Sequence, residues 1–174
     1  MEATIILLNG EKISLRKWQS MYGLVVGSAD IGRYLTIGEP NVNNGLEISE
    51  IIIRFFDCLR TMWGNPLYVN SLDRTNKEQE QMKLTNPNAA TTSPHVVKLA
   101  IDIDTINKQD TLDLLDCVDE IAQILGYQIR IGWKEYLKRG NTFIHIDVCP
   151  MYFSKGKVWH DKEHPRVWEK ITEW

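Results

Sequence analysis

A seven-residue segment in the last third of the chain, Thr142-Phe143-Ile144-His145-Ile146-Asp147-Val148, alternates from Phe143 onward between branched apolar side chains and others. Side chains of a strand point to opposite faces with a period of two, so one face of this segment must be buried while the other carries His145 and Asp147. A second segment, 96–103, repeats the pattern: Val97, Leu99, Ile101 and Ile103 form one face, and Lys98, Ala100 and Asp102 the other. A third, 127–133, alternates through Tyr127, Ile129, Ile131 and Trp133. The chain must therefore build a sheet, and something apolar must cover its isoleucine face.

Two helical stripes supply that cover. Over 46–63, Ile48, Ile51, Ile52, Phe55, Phe56, Leu59 and Met62 recur at helical spacing, and Gly64 and Pro66 end the run. Over 111–125 the stripe is Leu112, Leu115, Val118, Ile121 and either Ile124 or Leu125, with Asp110 as N-cap and Gly126 as C-cap. A short strand is expected at 67–71, and a polar connection from Asp73 to Thr92 carries one helical turn near 76–83. Earlier residues read as a strand at 4–8, a turn at Asn9-Gly10, a short helix near 14–21 and a loop rich in Gly, Pro and Asn. A last helix is expected from Pro165, in a tail holding Trp159, Trp168 and Trp174. The order is helix, strand, strand, helix, strand, strand. It predicts an α+β fold with a small, mostly antiparallel sheet flanked by helices. The 174 residues suit a single domain, with its core at about 46–150 and an N-terminal extension over 1–44 of open role.

Charge and cysteine usage narrow the function classes. A net charge of −3, with no basic run, gives no electrostatic reason to expect nucleic acid or an anionic membrane. Cys58, Cys117 and Cys149 are an odd number at wide spacing, which is neither a disulfide framework nor a thiolate zinc knuckle. The apolar run Thr4–Leu8 lacks the basic start, length and cleavage site of a signal peptide, and no stretch is long enough to span a bilayer. A chain made in the cytoplasm is expected.

The polar faces of the two strands and the residue before them hold the chemistry. His95, Asp102 and His145 form a two-histidine, one-carboxylate set. Catalytic zinc takes three such protein ligands and keeps one position open. A lone strand histidine is also an ordinary hydrogen-bonded residue, and parity alone does not choose between the two readings.

Ser93-Pro94-His95-Val96-Val97-Lys98-Leu99-Ala100-Ile101-Asp102 resembles the SxHxxGxAxD signature of the D-alanyl-D-alanine carboxypeptidase and hedgehog-type zinc peptidases. His145-Ile146-Asp147 resembles their second signature, a strand ending in HxD. Tyr68-Val69-Asn70-Ser71-Leu72-Asp73-Arg74-Thr75 is similar to their V-x-S-G-Y-R-S segment. The three stand in the family's order and span roughly residues 46–150. The resemblance implies Zn2+ held by His95, Asp102 and His145. It implies Arg74 as holder of a substrate carboxylate or oxyanion, Ser93 as support of the ligand loop, and Asp147 as an acid orienting a ligand. The implied activity is zinc-dependent hydrolysis of peptide bonds in bacterial peptidoglycan, as a carboxypeptidase or endopeptidase acting on the stem peptide. A phage lysin, a virion-associated protein and a wall enzyme exported by another route all fit.

Two departures stand out. The Gly of the first signature is Lys98, a long cation expected on the face of Asp102. The general base that many relatives carry just before the last ligand falls on Thr142 and Phe143, which take no proton from water. The base is then Asp147, Glu135 or missing. If it is missing, the chain is a zinc-binding but inactive binding or structural module of the same fold. A metal-free interaction domain is the third reading. His160 and His164, four residues apart, are an outside candidate for a second metal, with a solvated turn the plainer reading, and Cys149 is a buried structural thiol by default.

Overall fold

The structure is a computed structural model that describes residues 3–37, 42, 47–86, 89 and 93–152, without the side chains of Lys134 and Glu135. The expected C-terminal helix, the three tail tryptophans, His160 and His164 lie outside the described residues.

The architecture is α+β, with two small sheets and helices packed against them. The first sheet joins β1 (Thr4–Ile6), β2 (Lys12–Ser14) and β3 (Glu47–Ser49) in the order β2-β1-β3. β1 runs antiparallel to β2 and parallel to β3. The second sheet is wholly antiparallel, in the order β4 (Tyr68–Ser71), β5 (Ala100–Asp104), β7 (Phe143–Asp147), β6 (Arg130–Gly132). The helices are α1 (Leu15–Met21), α2 (Glu50–Trp63), α3 (Asn76–Thr85), α4 (Lys108–Leu125) and α5 (Lys134–Lys138).

The isoleucine face is where the alternation placed it. Ile101, Ile103, Ile131, Ile144 and Ile146 are buried in one cluster with Ile52, Phe55, Phe56 and Leu59 of α2 and Leu115, Val118 and Ile121 of α4. Burying a side chain of this size is worth roughly 1.5–3 kcal/mol, so this layer dominates what holds the sheet to its helices. Leu125, not Ile124, completes the α4 stripe; Ile124 is largely exposed.

Both long helices end at the expected glycines, Gly64 and Gly126, in the left-handed conformation that closes a helix. Their starts differ from expectation. α2 begins at Glu50 because Glu47–Ser49 pair with β1 instead. α4 begins at Lys108, capped by Asn107, whose side chain accepts from the backbone N–H of Gln109 and Asp110 at 2.8 and 3.0 Å. Asp110 lies within its first turn.

The N-terminal residues share the core. Ala3, Ile5, Ile13, Trp18, Ile31 and Leu35 belong to the same buried cluster as α2 and the large sheet. The loop around Gly32 lies on α2, where Arg33 and Tyr34 donate backbone N–H bonds to Asp57 at 2.8 and 3.1 Å.

The larger correction concerns the segment before β5. The expected strand over 96–103 begins only at Ala100; residues 94–98 are a tight turn, closed by Lys98 N–H to His95 O at 3.2 Å and Leu99 N–H to Pro94 O at 3.1 Å. Lys98 has φ 63°, the one left-handed non-glycine among the described residues. That region costs a residue with a Cβ about 1–2 kcal/mol, which gives a physical reason for the Gly that the signature has here. Lys98 therefore does not share the strand face of Asp102.

Candidate metal centre

The register of the large sheet assembles the site. Ser71 of β4, Asp102 of β5, His145 of β7 and Gly132 of β6 stand side by side in one row. The next row sets Ala100 beside Asp147 and Asp147 beside Arg130. Row-mates on one face have Cβ atoms about 4.5–5.5 Å apart, so the antiparallel β5–β7 pairing by itself brings Asp102 against His145. A register shift between Val69 and Ser71 sets Ser71 opposite Asp102, the kind of local irregularity that re-aims a strand end.

His95 enters from the turn that precedes β5. Its ring Nδ1 lies 2.7 Å from the carbonyl oxygen of Leu72. A carbonyl only accepts, so Nδ1 carries the proton and Nε2 faces the row. His95 Nε2 is then 3.3 Å from both His145 Nδ1 and Asp102 Oδ2, and His145 Nδ1 is 2.6 Å from Asp102 Oδ1.

These three side chains are buried, and their ligating atoms fall within 4.8 Å of one another. Two atoms bound to one tetrahedral zinc at about 2.0–2.2 Å stand about 3.3–3.5 Å apart. Two of the three separations already match that edge, and the third is a hydrogen bond that a cation would open. Nitrogen and carboxylate donors suit zinc, and three of them leave a fourth position free of protein. The residues fit a zinc ion.

Outer contacts hold the donors in place. His145 Nε2, its outward nitrogen, is 3.3 Å from Asp147 Oδ2. Arg130 Nε donates to both oxygens of Asp147 at 2.9 Å, and the backbone N–H of Cys149 donates to Oδ1 at 2.9 Å. Asp147 is completely buried, so these contacts account for its stability as a charge. Burial pushes the Asp147 carboxyl up, but His145 and Arg130 outweigh it and hold the group below the usual carboxylate range. Burial acts on Asp102 in the same sense, and the pull of His95 and His145 overcomes it there too, leaving Asp102 ionised far below neutral pH. An imidazole steered by a carboxylate on its outer nitrogen is the arrangement that fixes metal-binding histidines.

Arg74 stands at the edge of the row. Its guanidinium donates to Ser71 Oγ at 3.1 Å, Gln79 Oε1 at 2.7 Å and Ser93 Oγ at 3.5 Å. Helix α3 starts directly after it through a capping box: Glu78 N–H donates to Thr75 Oγ1 at 3.2 Å, and Thr75 N–H to Glu78 Oε2 at 2.7 Å. The cap fixes the chain on one side of Arg74 and places buried Gln79 against it. Ser93 Oγ also accepts from the His95 backbone N–H at 3.3 Å.

Lys98 pairs with the carboxylate of Asp73, and its ammonium also donates to the carbonyl of Arg74 at 3.0 Å. Cys149 is buried, lies outside the three-residue cluster, and has its thiol pushed up by burial. Cys58 and Cys117 are free and half-buried. The side chain of Glu135 is not described.

Three contributors were not singled out from sequence: Arg130, Gln79 and the Leu72 carbonyl. Arg130 left a signal, as a cation between Ile129 and Ile131 in an apolar strand needs a buried acid nearby. A backbone carbonyl leaves none.

No protein-family model matches the chain, and no curated protein matches it in sequence. Among solved structures, the crystal structure of the Serratia marcescens L-Ala D-Glu endopeptidase ChiX is similar in part, with TM-score 0.49 and 15% identity over 58% of this chain and 80% of that one. No described helix is long and apolar enough to cross a membrane.

Proposed function

We propose that this chain is a zinc-dependent peptidase acting on the peptide part of bacterial cell wall. The observation that carries the reading is the convergence of His95 Nε2, His145 Nδ1 and Asp102 on one point, with two of their three separations at those of zinc ligands. The order of the three motifs along the chain agrees with it. His95, Asp102 and His145 would hold the ion, which when bound supplies an activated water and a Lewis acid for a scissile carbonyl.

The protein's own groups do the rest. Leu72 O holds the His95 ring with Nε2 inward, and Asp147 lies on the outer nitrogen of His145, whose Nδ1, hydrogen-bonded to Asp102 here, would be turned to the ion on binding. Arg74, anchored by Ser71, Ser93 and Gln79 at the edge of the row, would offer its guanidinium to a substrate carboxylate or a developing oxyanion. Asp147 serves as an orienting residue in this scheme, since its oxygens are taken by Arg130, His145 and Cys149.

That same occupancy favours a second reading. A carboxylate so engaged is poorly placed to accept a proton from water, and a zinc-holding chain without a base would bind wall peptide and not cut it. A turbidity assay on purified peptidoglycan, with soluble products identified by mass, separates the two. The peptidase reading expects release of peptide fragments, loss of release on chelation and its return with zinc. It also expects a drop of about 10²–10³-fold for Arg74→Met, the usual cost of one oxyanion donor. Sedimentation of the zinc-loaded protein with peptidoglycan, without product release, would support the binding module instead.

A further inference from the structure

Lys98 is bound up with the site without belonging to it. Its side chain is only 12% exposed, and its ammonium contacts the buried carboxylate of Asp73 and the Arg74 carbonyl. The same three-residue segment meets the His95 turn twice more. Leu72 O accepts from His95 Nδ1 at 2.7 Å, and Arg74 N–H donates to His95 O at 3.4 Å. These four hydrogen bonds between segment 72–74 and the turn all involve His95 or Lys98. Lys98 takes up a left-handed backbone to make its part.

We propose that Lys98 is a positioning residue. It clamps segment 72–74 against the turn, so that the Leu72 carbonyl holds the His95 ring in one tautomer, Nε2 inward, and the main chain of Arg74 is fixed beside it. A glycine here would suit the turn and lack the clamp, so in this chain the ion pair with Asp73 supplies the anchoring. Its consequence for a metal rests on the zinc reading above; its effect on the His95 ring does not.

The test reads the ring directly in the full-length, metal-free protein, by long-range 1H–15N spectra of the histidines. Wild type should show His95 in a single Nδ1–H form with a slowly exchanging ring proton. Lys98→Gly, which relieves the backbone, should remain folded yet show mixed tautomers and ring-proton exchange at least about tenfold faster, because an unrestrained outer partner no longer fixes the ring. Asp73→Asn should do the same from the other side of the pair, and Lys98→Arg should recover much of the wild-type behaviour. Zinc dissociation constants, measured by competition with a chromophoric chelator, should rise about 10–100-fold in Lys98→Gly. A folded Lys98→Gly or Asp73→Asn protein with wild-type His95 tautomer and exchange would overturn the proposal. If His95 responds as expected but wild type takes up no zinc, the zinc reading fails and the clamp stands.

Discussion

His145 and Asp102 face each other across the β5–β7 pair, and His145 Nδ1 lies 2.6 Å from Asp102 Oδ1. Two residues forty-three positions apart are thus set by strand register alone, before any metal is considered. His95 completes the group from a turn whose geometry depends on backbone contacts with segment 72–74.

The pairing of Arg130 with Asp147 is the support most open to attack by mutation. Arg130→Met leaves a fully buried carboxylate without the Arg130 Nε that donates to both its oxygens at 2.9 Å. Removing one partner of a buried pair costs about 3–5 kcal/mol, to be read as a lowered midpoint in urea. Zinc affinity should fall about 10–100-fold as the acid that steers His145 loses its own anchor. Arg130→Lys should fall between the two, since it keeps the charge and loses the fork.

A second ion cluster, remote in sequence from the metal residues, makes a pH prediction. Glu50 accepts from the Leu8 backbone N–H at 3.0 Å, from Arg54 Nε at 2.7 Å and from the Tyr22 hydroxyl. Burial pushes the Glu50 carboxyl up, but Tyr22, Leu8 and Arg54 together hold it below its ordinary value. A depressed carboxyl means that the folded state binds fewer protons than the unfolded one. Its contribution is complete above the unfolded value of about 4.3 and is lost as pH falls through the folded value. Glu50→Gln should destabilise the protein at pH 7 by on the order of 1–2 kcal/mol, the lower part of the range for charged hydrogen bonds because Arg54 is half-exposed. The difference from wild type should shrink below about pH 4, as followed by thermal melts across pH.

Gly32 tests whether the N-terminal residues are integral to the core. A Cβ there would meet Ile53 Cγ2 at 2.6 Å and Asp57 Oδ2 at 2.9 Å. Gly32→Ala must push the loop off α2 and disturb the Asp57 bonds to Arg33 and Tyr34. Overpacking of this kind costs about 1–3 kcal/mol, and a single cooperative urea transition at lower midpoint is the expected result.

Much of this was legible in the chain. Period-two alternation placed His145, Asp147 and Asp102 on one sheet face because strand parity needs no tertiary knowledge, and the glycine stops of α2 and α4 follow from backbone freedom. What was not legible has a common cause. β2 and β3 are three residues each, too short to show a period, and exist because they pair with β1. Val97 and Leu99 mimic a strand while the chain turns beneath them, since alternation cannot report the φ of Lys98. Asn107 outcompeted Asp110 as cap because α4 gains a turn by starting earlier, a choice between two good caps that local sequence leaves even.

The chemistry proposed for this chain depends on His95, Asp102 and His145 forming one zinc site. The most direct test is elemental analysis of the purified, untagged full-length protein after incubation with zinc at neutral pH, beside Asp102→Ala treated identically. One zinc per wild-type chain, lost in Asp102→Ala, is the expected result. No zinc in wild type, or equal zinc in both, would contradict it.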